Sequence, residues 1–165
     1  MNMIHENLSG EEVDLYIIIS GVEGQCGEDC SLCARSCNHE TGCAVHGLLD
    51  EGLLAEAARS NEAEGADRFS IVNSGRRPSD RKFERLVSAY ARMHSELNIG
   101  LCASVGFLTR DQLRRLRKAG VTRIHCNLET SRRFSPKICT THTYDDKVAM
   151  IKRAKSGDLE VCWEE

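Results

Sequence analysis

Apolar, β-branched runs and amphipathic helical stretches alternate five times along this chain, and that alternation limits its fold more than any other feature. "DLYIIIS", Asp14 to Ser20, ending at Gly21, reads as a short buried strand. Leu49, Leu53, Leu54 and Ala57 then recur at helical spacing, with Gly65 as the C-terminal cap. "RFSIVN", Arg68 to Asn73, is the second strand. Ser79 or Asp80 caps a helix whose apolar face is Phe83, Leu86, Val87, Tyr90, Met93 and Leu97. "IGLCASVG" is the third strand, and Thr109 with Gln112 forms a capping-box pattern ahead of Leu113 and Leu116, with Gly120 to end that helix. "TRIHCNLE" is the fourth strand. Thr143 with Asp146 repeats the capping pattern before Val148, Met150 and Ile151, and "DLEVCW" is the fifth strand. Strands without strict in-out alternation, separated by helices, predict a parallel sheet with helical crossovers, an α/β fold.

A chain of 165 residues holds one domain with a real core, and residues 1–165 are read as a single unit. Five βα steps fall short of the eight of a closed barrel, usually about 250 residues long. The expected architecture is therefore a partial TIM-type (β/α) barrel. The chain is expected to be a fragment, a truncated frame or a degenerate paralogue. Its 22 basic and 25 acidic side chains leave a net charge of -3, which offers no attraction to nucleic acid or to an anionic membrane. No apolar run is long enough to span a bilayer, and "MNMIHENLSG" has neither a basic n-region nor an apolar h-region, so the expected location is cytoplasmic.

Parallel sheets of this kind carry their sites beyond the carboxyl ends of the strands. The unusual residues are expected to converge there: the thiols after strand one, "NSGRR" after strand two, Cys102, "HCNLET" and Cys162. Nine cysteines, an odd count in a chain with an adequate apolar fraction, suit reduced metal-binding thiols better than a disulfide scaffold. Two ligand sets are available. Cys26, Cys30 and Cys33, spaced C-x3-C-x2-C on one loop, suit a four-iron cluster with one iron left open to a further ligand. Cys30, Cys33, Cys43 and His46 have the spacing of a zinc ribbon. Cys37, Cys43 and Cys139 read as packed or loop thiols without a ligand role, and His39 and His46 as surface or loop histidines. The arginines between 110 and 118 lack interleaved aromatic residues and read as a solvated helix face.

The C-x3-C-x2-C motif after the first strand resembles that of the radical S-adenosylmethionine enzymes. "CGEDCSLCARS", "GADRFSIVNSGRR", "LCASVGFLT", "AGVTRIHCNLETSRRFSPKICTTHTYDDK" and "LEVC" narrow the likeness, since they follow the order and spacing of the biotin synthase family from about Asp14 to Cys162. The resemblance implies a radical enzyme that inserts sulfur into dethiobiotin. It implies a 4Fe-4S cluster on Cys26, Cys30 and Cys33, whose open iron takes the methionine amine and carboxylate of S-adenosylmethionine. It also implies ribose contacts from Asn127 and Glu129, Lys147 facing the cofactor carboxylate, and the backbone of Asn73, Ser74 and Gly75 beside the methionine moiety. Cys102 and Cys162 align with ligands of an auxiliary iron-sulfur cluster, whose type is left open because Ser70 stands where many members carry a cysteine. Leu32 replaces an aromatic residue, and Cys126 replaces a polar residue beside the substrate. The implied partners are dethiobiotin, an electron donor such as flavodoxin or ferredoxin, and a second copy in a homodimer. Two alternatives remain: another radical S-adenosylmethionine enzyme with a different substrate, and a zinc- or cluster-binding module without turnover.

Overall fold

The computed structural model describes residues 14–163, so the N-terminal stretch read above for a leader lies outside it. Five strands, β1 (Tyr16–Val22), β2 (Arg68–Asn73), β3 (Gly100–Ser104), β4 (Val121–His125) and β5 (Glu160–Cys162), form one sheet in sequence order, and every neighbouring pair is parallel. The connections carry helices α1 (Glu51–Ala63), α2 (Asp80–Glu96) and α3 (Arg110–Lys118), then the short α4 (Ser135–Ile138) and α5 (Tyr144–Lys155). A doubly wound sheet reverses its strand order at a switch point. This one never does, so the helices gather on one face, as in a partial (β/α) barrel.

That one-sided covering sorts the strand residues. Phe69, Ile71, Leu101, Ala103, Val121 and Ile124 enter the core with the helices. The register aligns Ile18, Ser70, Cys102, Arg123 and Glu160 in a row on the other face. The strands were expected to lack alternation, yet each places apolar residues toward the helices and mostly polar ones away from them. Their small side chains, Ser70 and Cys102 among them, hid this period in the sequence. β1 departs further from expectation. It is an edge strand among the described residues rather than a buried one, and Ile18 is 57 % exposed.

The caps fall where the side chains dictate. Ser79 Oγ accepts from Lys82 N and opens α2. Thr109 and Gln112 close a reciprocal pair at α3, with hydrogen bonds of 3.2 and 3.0 Å, and Thr143 and Asp146 do the same at α5, at 3.1 and 2.9 Å. α1 begins later than its leucines suggest, because Asp50 Oδ1 accepts from Gly52 N. Its buried residues are Leu54, Ala55 and Ala58, with Leu49 and Ala57 packed against the core beside them, while Leu53 is 61 % exposed. Fully buried Tyr90 reaches from α2 into the sheet and donates its hydroxyl proton to the Cys102 carbonyl at 2.7 Å. No helix among the described residues is long and apolar enough to cross a membrane.

Candidate functional site

Between β1 and α1 the chain folds on its own hydrogen bonds. Glu23 and His46 exchange backbone bonds across the base of this loop at 3.2 and 3.1 Å. Within it, Cys26 N donates to Arg35 O at 3.1 Å and Cys26 O accepts from Cys37 N at 2.9 Å, which anchors a thiol that is only 8 % exposed. Cys33 N turns back onto Cys30 O at 3.0 Å, and both of those thiols are half-buried. Arg35 ties the loop to the sheet by pairing with Glu23 and donating to Ser20 Oγ at 3.1 Å.

Against the carboxyl ends of the strands lies an open cleft of about 720 Å³, to which all five strands contribute. Asn73, Gly75, Asn127, Glu129, Lys147 and Cys162, predicted from the sequence, line it, and so do Tyr16, Arg35, Arg76 and His142. Both amide atoms of Asn73 and the Ser74 hydroxyl are buried without a hydrogen-bond partner. Asn73 lines the cleft, where an orphaned donor and acceptor suit a polar group that binds there, whereas Ser74, also predicted, is not among the lining residues. Two glycines shape the rim. Gly75 has φ +107°, and Gly106 has φ +83° with its α-carbon so near Arg76 that a Cβ would lie 2.3 Å from the Arg76 carbonyl oxygen. Glu129 also adopts a left-handed backbone, φ +68°, uncommon outside glycine. Lys147, in the first turns of α5, donates to the Asn127 carbonyl at 2.7 Å and so ties the loop after β4 to that helix.

The two remaining predicted cysteines are placed differently, since Cys162 lines the cleft and Cys102 does not. Cys102 is in the middle of β3, fully buried and opposite Ser70 on one side and Arg123 on the other. It therefore lies below the carboxyl-end rim on which it was expected. Cys162 is half-buried at the end of β5, opposite His125. Burial pushes the Cys102 thiol up, and it pushes the Tyr16 phenol up to about 12, the Cys102 and Cys162 thiols acting in the same sense. Tyr16 bonds His125 Nε2 at 2.7 Å, while Ser70 Oγ lies against Tyr16 outside good hydrogen-bonding geometry.

The zinc-ribbon quartet is not brought together among the described residues. Cys43 Sγ donates to Glu23 Oε1 at 3.3 Å, and His46 Nδ1 lies 2.9 Å from the Gly47 carbonyl. His39 is more than a surface histidine, since its Nε2 lies 3.1 Å from Cys30 O. Cys139 is the packed thiol that the sequence reading expected, and the structure adds its neighbours. It stands 3.5 Å from Cys30 Sγ and 3.3 Å from His142 Nδ1. The Cys30 thiol is pushed up to about 12, first by burial and then by Cys139 beside it. A Cys and a His three residues apart in "CTTH" was the available signal, without its third member in the local sequence.

The Radical SAM superfamily profile matches residues 24–163, the thiol loop through β5. The chain belongs to the radical SAM superfamily. Within it, this radical SAM chain is similar to biotin synthase of Clostridium perfringens, 47 % identical over 161 residues that cover 98 % of this chain and 50 % of the relative. It is 45 % identical to biotin synthase of Heliobacterium modesticaldum over 159 residues, 96 % of this chain and 49 % of that one. The chain thus spans about half the length of the curated relatives it matches. Its fold is shared with methylornithine synthase, at a TM-score of 0.80 with 20 % identity over 97 % of this chain and 47 % of that one. It is shared too with the FeFe-hydrogenase maturase of Carboxydothermus hydrogenoformans, at a TM-score of 0.80 with 18 % identity, covering 98 % and 38 %.

Proposed function

We propose that this chain forms the cofactor-binding part of a biotin synthase-type radical enzyme that acts on dethiobiotin. The observation that carries this reading is identity of 47 % with a biotin synthase along 98 % of the chain. The donor set fits the cofactors. Three thiols on one self-bonded loop, with Cys26 anchored and Cys30 and Cys33 partly open, suit Cys26, Cys30 and Cys33 as ligands to three irons of a 4Fe-4S cluster. When bound, that cluster and S-adenosylmethionine supply a 5'-deoxyadenosyl radical by reductive cleavage of the sulfonium. The chain's own residues bind and orient. The backbone of Asn73, Ser74 and Gly75 runs beside the methionine moiety, Asn73 offers it an unpaired amide from the cleft wall, and Gly75 lets that backbone approach. Asn127 and Glu129 present an amide and a carboxylate that suit vicinal ribose hydroxyls. Lys147 gives one N–H to Asn127 O and keeps two for a carboxylate. Phe107, Ile18 and Val72 contribute apolar walls that exclude water from a reactive species.

Cys102 and Cys162 are read as ligands of an auxiliary iron-sulfur cluster on the inner face of the sheet, with Ser70 in the same row as Cys102. A reductant such as flavodoxin or ferredoxin, a homodimeric partner and a cytoplasmic setting belong to the same reading. Anaerobic reconstitution with iron and sulfide, followed by product analysis under strong reduction, tests it. The chain is expected to load a cluster that is lost in Cys26→Ala, Cys30→Ala and Cys33→Ala, and to release 5'-deoxyadenosine from S-adenosylmethionine. Asn127→Ala and Glu129→Ala are each expected to weaken cofactor binding by about 1–3 kcal/mol. A fully loaded cluster with no detectable 5'-deoxyadenosine would overturn the radical reading.

A further inference from the structure

The fold delivers two residues from outside the thiol motif to one of its members. Ser31 N donates to Ile138 O at 2.8 Å and clips the thiol loop to α4. The Asp29 carboxylate fastens the same contact by accepting from Thr140 N at 2.9 Å and Thr141 N at 3.2 Å. Ligand atoms of Cys30, Cys139 and His142 consequently all lie within 4.8 Å of one another. Cys139, only 6 % exposed, is oversupplied with polar neighbours. Cys30 Sγ, Asp29 Oδ1, Thr141 Oγ1 and His142 Nδ1 surround its sulfur at 3.5, 3.0, 3.2 and 3.3 Å. Cys139 donates to Asp29 Oδ1 and accepts from Cys30 Sγ, so four polar atoms converge on a sulfur that is only a weak donor and a weak acceptor.

Two of the three spacings match the edges of a coordination tetrahedron, and the third, Cys30 to His142, is within 4.8 Å. With Zn–S near 2.3 Å and Zn–N near 2.0 Å, ligand atoms around one zinc ion stand about 3.4–3.8 Å apart. The Cys30–Cys139 and Cys139–His142 distances of 3.5 and 3.3 Å are close to those edges, and the adjustment the ion requires is that Glu28, whose carboxylate holds His142 Nδ1 in the metal-free chain, gives that nitrogen up. Thiolates of a four-iron cluster each bind a different iron and stand farther apart, so the two metals require different companions for Cys30.

We propose that the cluster-free chain binds one zinc-class divalent ion through Cys30, Cys139 and His142, and that this ion and the iron-sulfur cluster exclude each other because both need Cys30. Binding releases the two thiol protons to solvent, and the two thiolates balance the charge of the ion in an enclosed site. The Asp29 carboxylate or a water takes the fourth position. The exclusion rests on the assignment of Cys30 to the cluster, whereas the zinc site itself does not.

Zinc competition against a chromophoric chelator, with the anaerobic, reduced, cluster-free chain, tests the site, and cobalt(II) substitution reports its geometry. One ion is expected per chain, with tetrahedral cobalt bands and thiolate charge transfer. Outer partners of a metal ligand are worth about 10–100-fold in affinity, so Cys139→Ser and His142→Gln, which remove direct ligands, should weaken zinc by at least about 100-fold. Cys26→Ser and Cys33→Ser should leave zinc affinity unchanged, and far-UV circular dichroism of each variant separates ligand loss from misfolding. Iron loading should show the mirror pattern, lost in Cys26→Ser and Cys33→Ser and retained in Cys139→Ser. Unchanged zinc affinity in folded Cys139→Ser and His142→Gln, or its loss in Cys43→Ser instead, overturns the site. A zinc-loaded wild type that takes up iron as fast as the metal-free chain overturns the exclusion. Zinc binding with the expected variant pattern in a chain that never loads a cluster sustains the site and counts against the proposed function alone.

Discussion

At the residue scale, Gly75 and Gly106 both sit at positive φ on the rim of the cleft, yet they answer to different constraints. A Cβ on Gly75 meets nothing within 4 Å, so Gly75→Ala carries backbone strain alone, about 1 kcal/mol. On Gly106 the same atom would lie 2.3 Å from a backbone oxygen that cannot rotate away. Gly106→Ala should therefore lower stability by about 1–3 kcal/mol more than Gly75→Ala. Urea midpoints of the two variants measure the difference, and equal midpoints would contradict the close approach. Local sequence could not separate these glycines, because the atom that tells them apart belongs to Arg76. The same reason hid the partnership of Cys30 with Cys139. The C-x3-C-x2-C spacing was legible because it lies within one segment, whereas Asn73, Asn127, Glu129 and Lys147 came only through the family resemblance, and what the structure adds is that all four line one cleft.

At the scale of the element, α3 and α5 open with capping boxes of the same shape and different chemistry. Gln112 closes the first and cannot titrate, whereas Asp146 closes the second. The backbone hydrogen bond from Thr143, with the Thr143 side chain next, holds the Asp146 carboxyl below the usual carboxylate range. A depressed folded-state pKa contributes stability that is present above the ordinary aspartate pKa and lost as pH falls through the folded value. Asp146→Asn is thus expected to be less stable than wild type at neutral pH and equal to it at strongly acid pH. Thr109→Ala and Thr143→Ala should each cost about 1 kcal/mol at pH 7. Thermal melts across the acid range check both statements, and an Asp146→Asn deficit that persists unchanged into acid would refute the first. Both boxes were readable in sequence because their partners lie three residues apart. α4 was not, since four residues carry no period, and on α1 the spacing found Leu49, Leu54 and Ala57 on the core side but also included Leu53, which is exposed.

At the scale of the whole molecule, the parallel order and the helical crossovers followed from the alternation of patterns, while the sidedness of the sheet did not. β2, β3 and β4 are bonded on both edges and β1 and β5 on one among the described residues. Amides at Ile71, Ala103 and Ile124 should therefore exchange most slowly with deuterium, and those of β1 and β5 markedly faster. Mass-spectrometric exchange tests this, and equal protection of β1 and β3 would reveal a cover on the outer edge of β1. The pairing of β3 with β4 carries one irregularity: Leu101 faces Val121, but Cys102 faces Arg123, so Thr122 is skipped. Before the skip, the even-numbered residues of β2 and β3 face away from the helices. After it, the odd-numbered Arg123 and His125 do. Thr122 works as a parity bit in the written message of the chain. Deleting that single residue would let Arg123 follow Val121 directly, opposite Cys102 and Leu101, so the ladder would close without a break and Arg123, Ile124 and His125 would keep the faces they have. Thr122 is thus the one letter of β4 that the chain could lose singly without turning a side chain over, whereas a single loss in a strand with no spare residue sends everything beyond it to the opposite face.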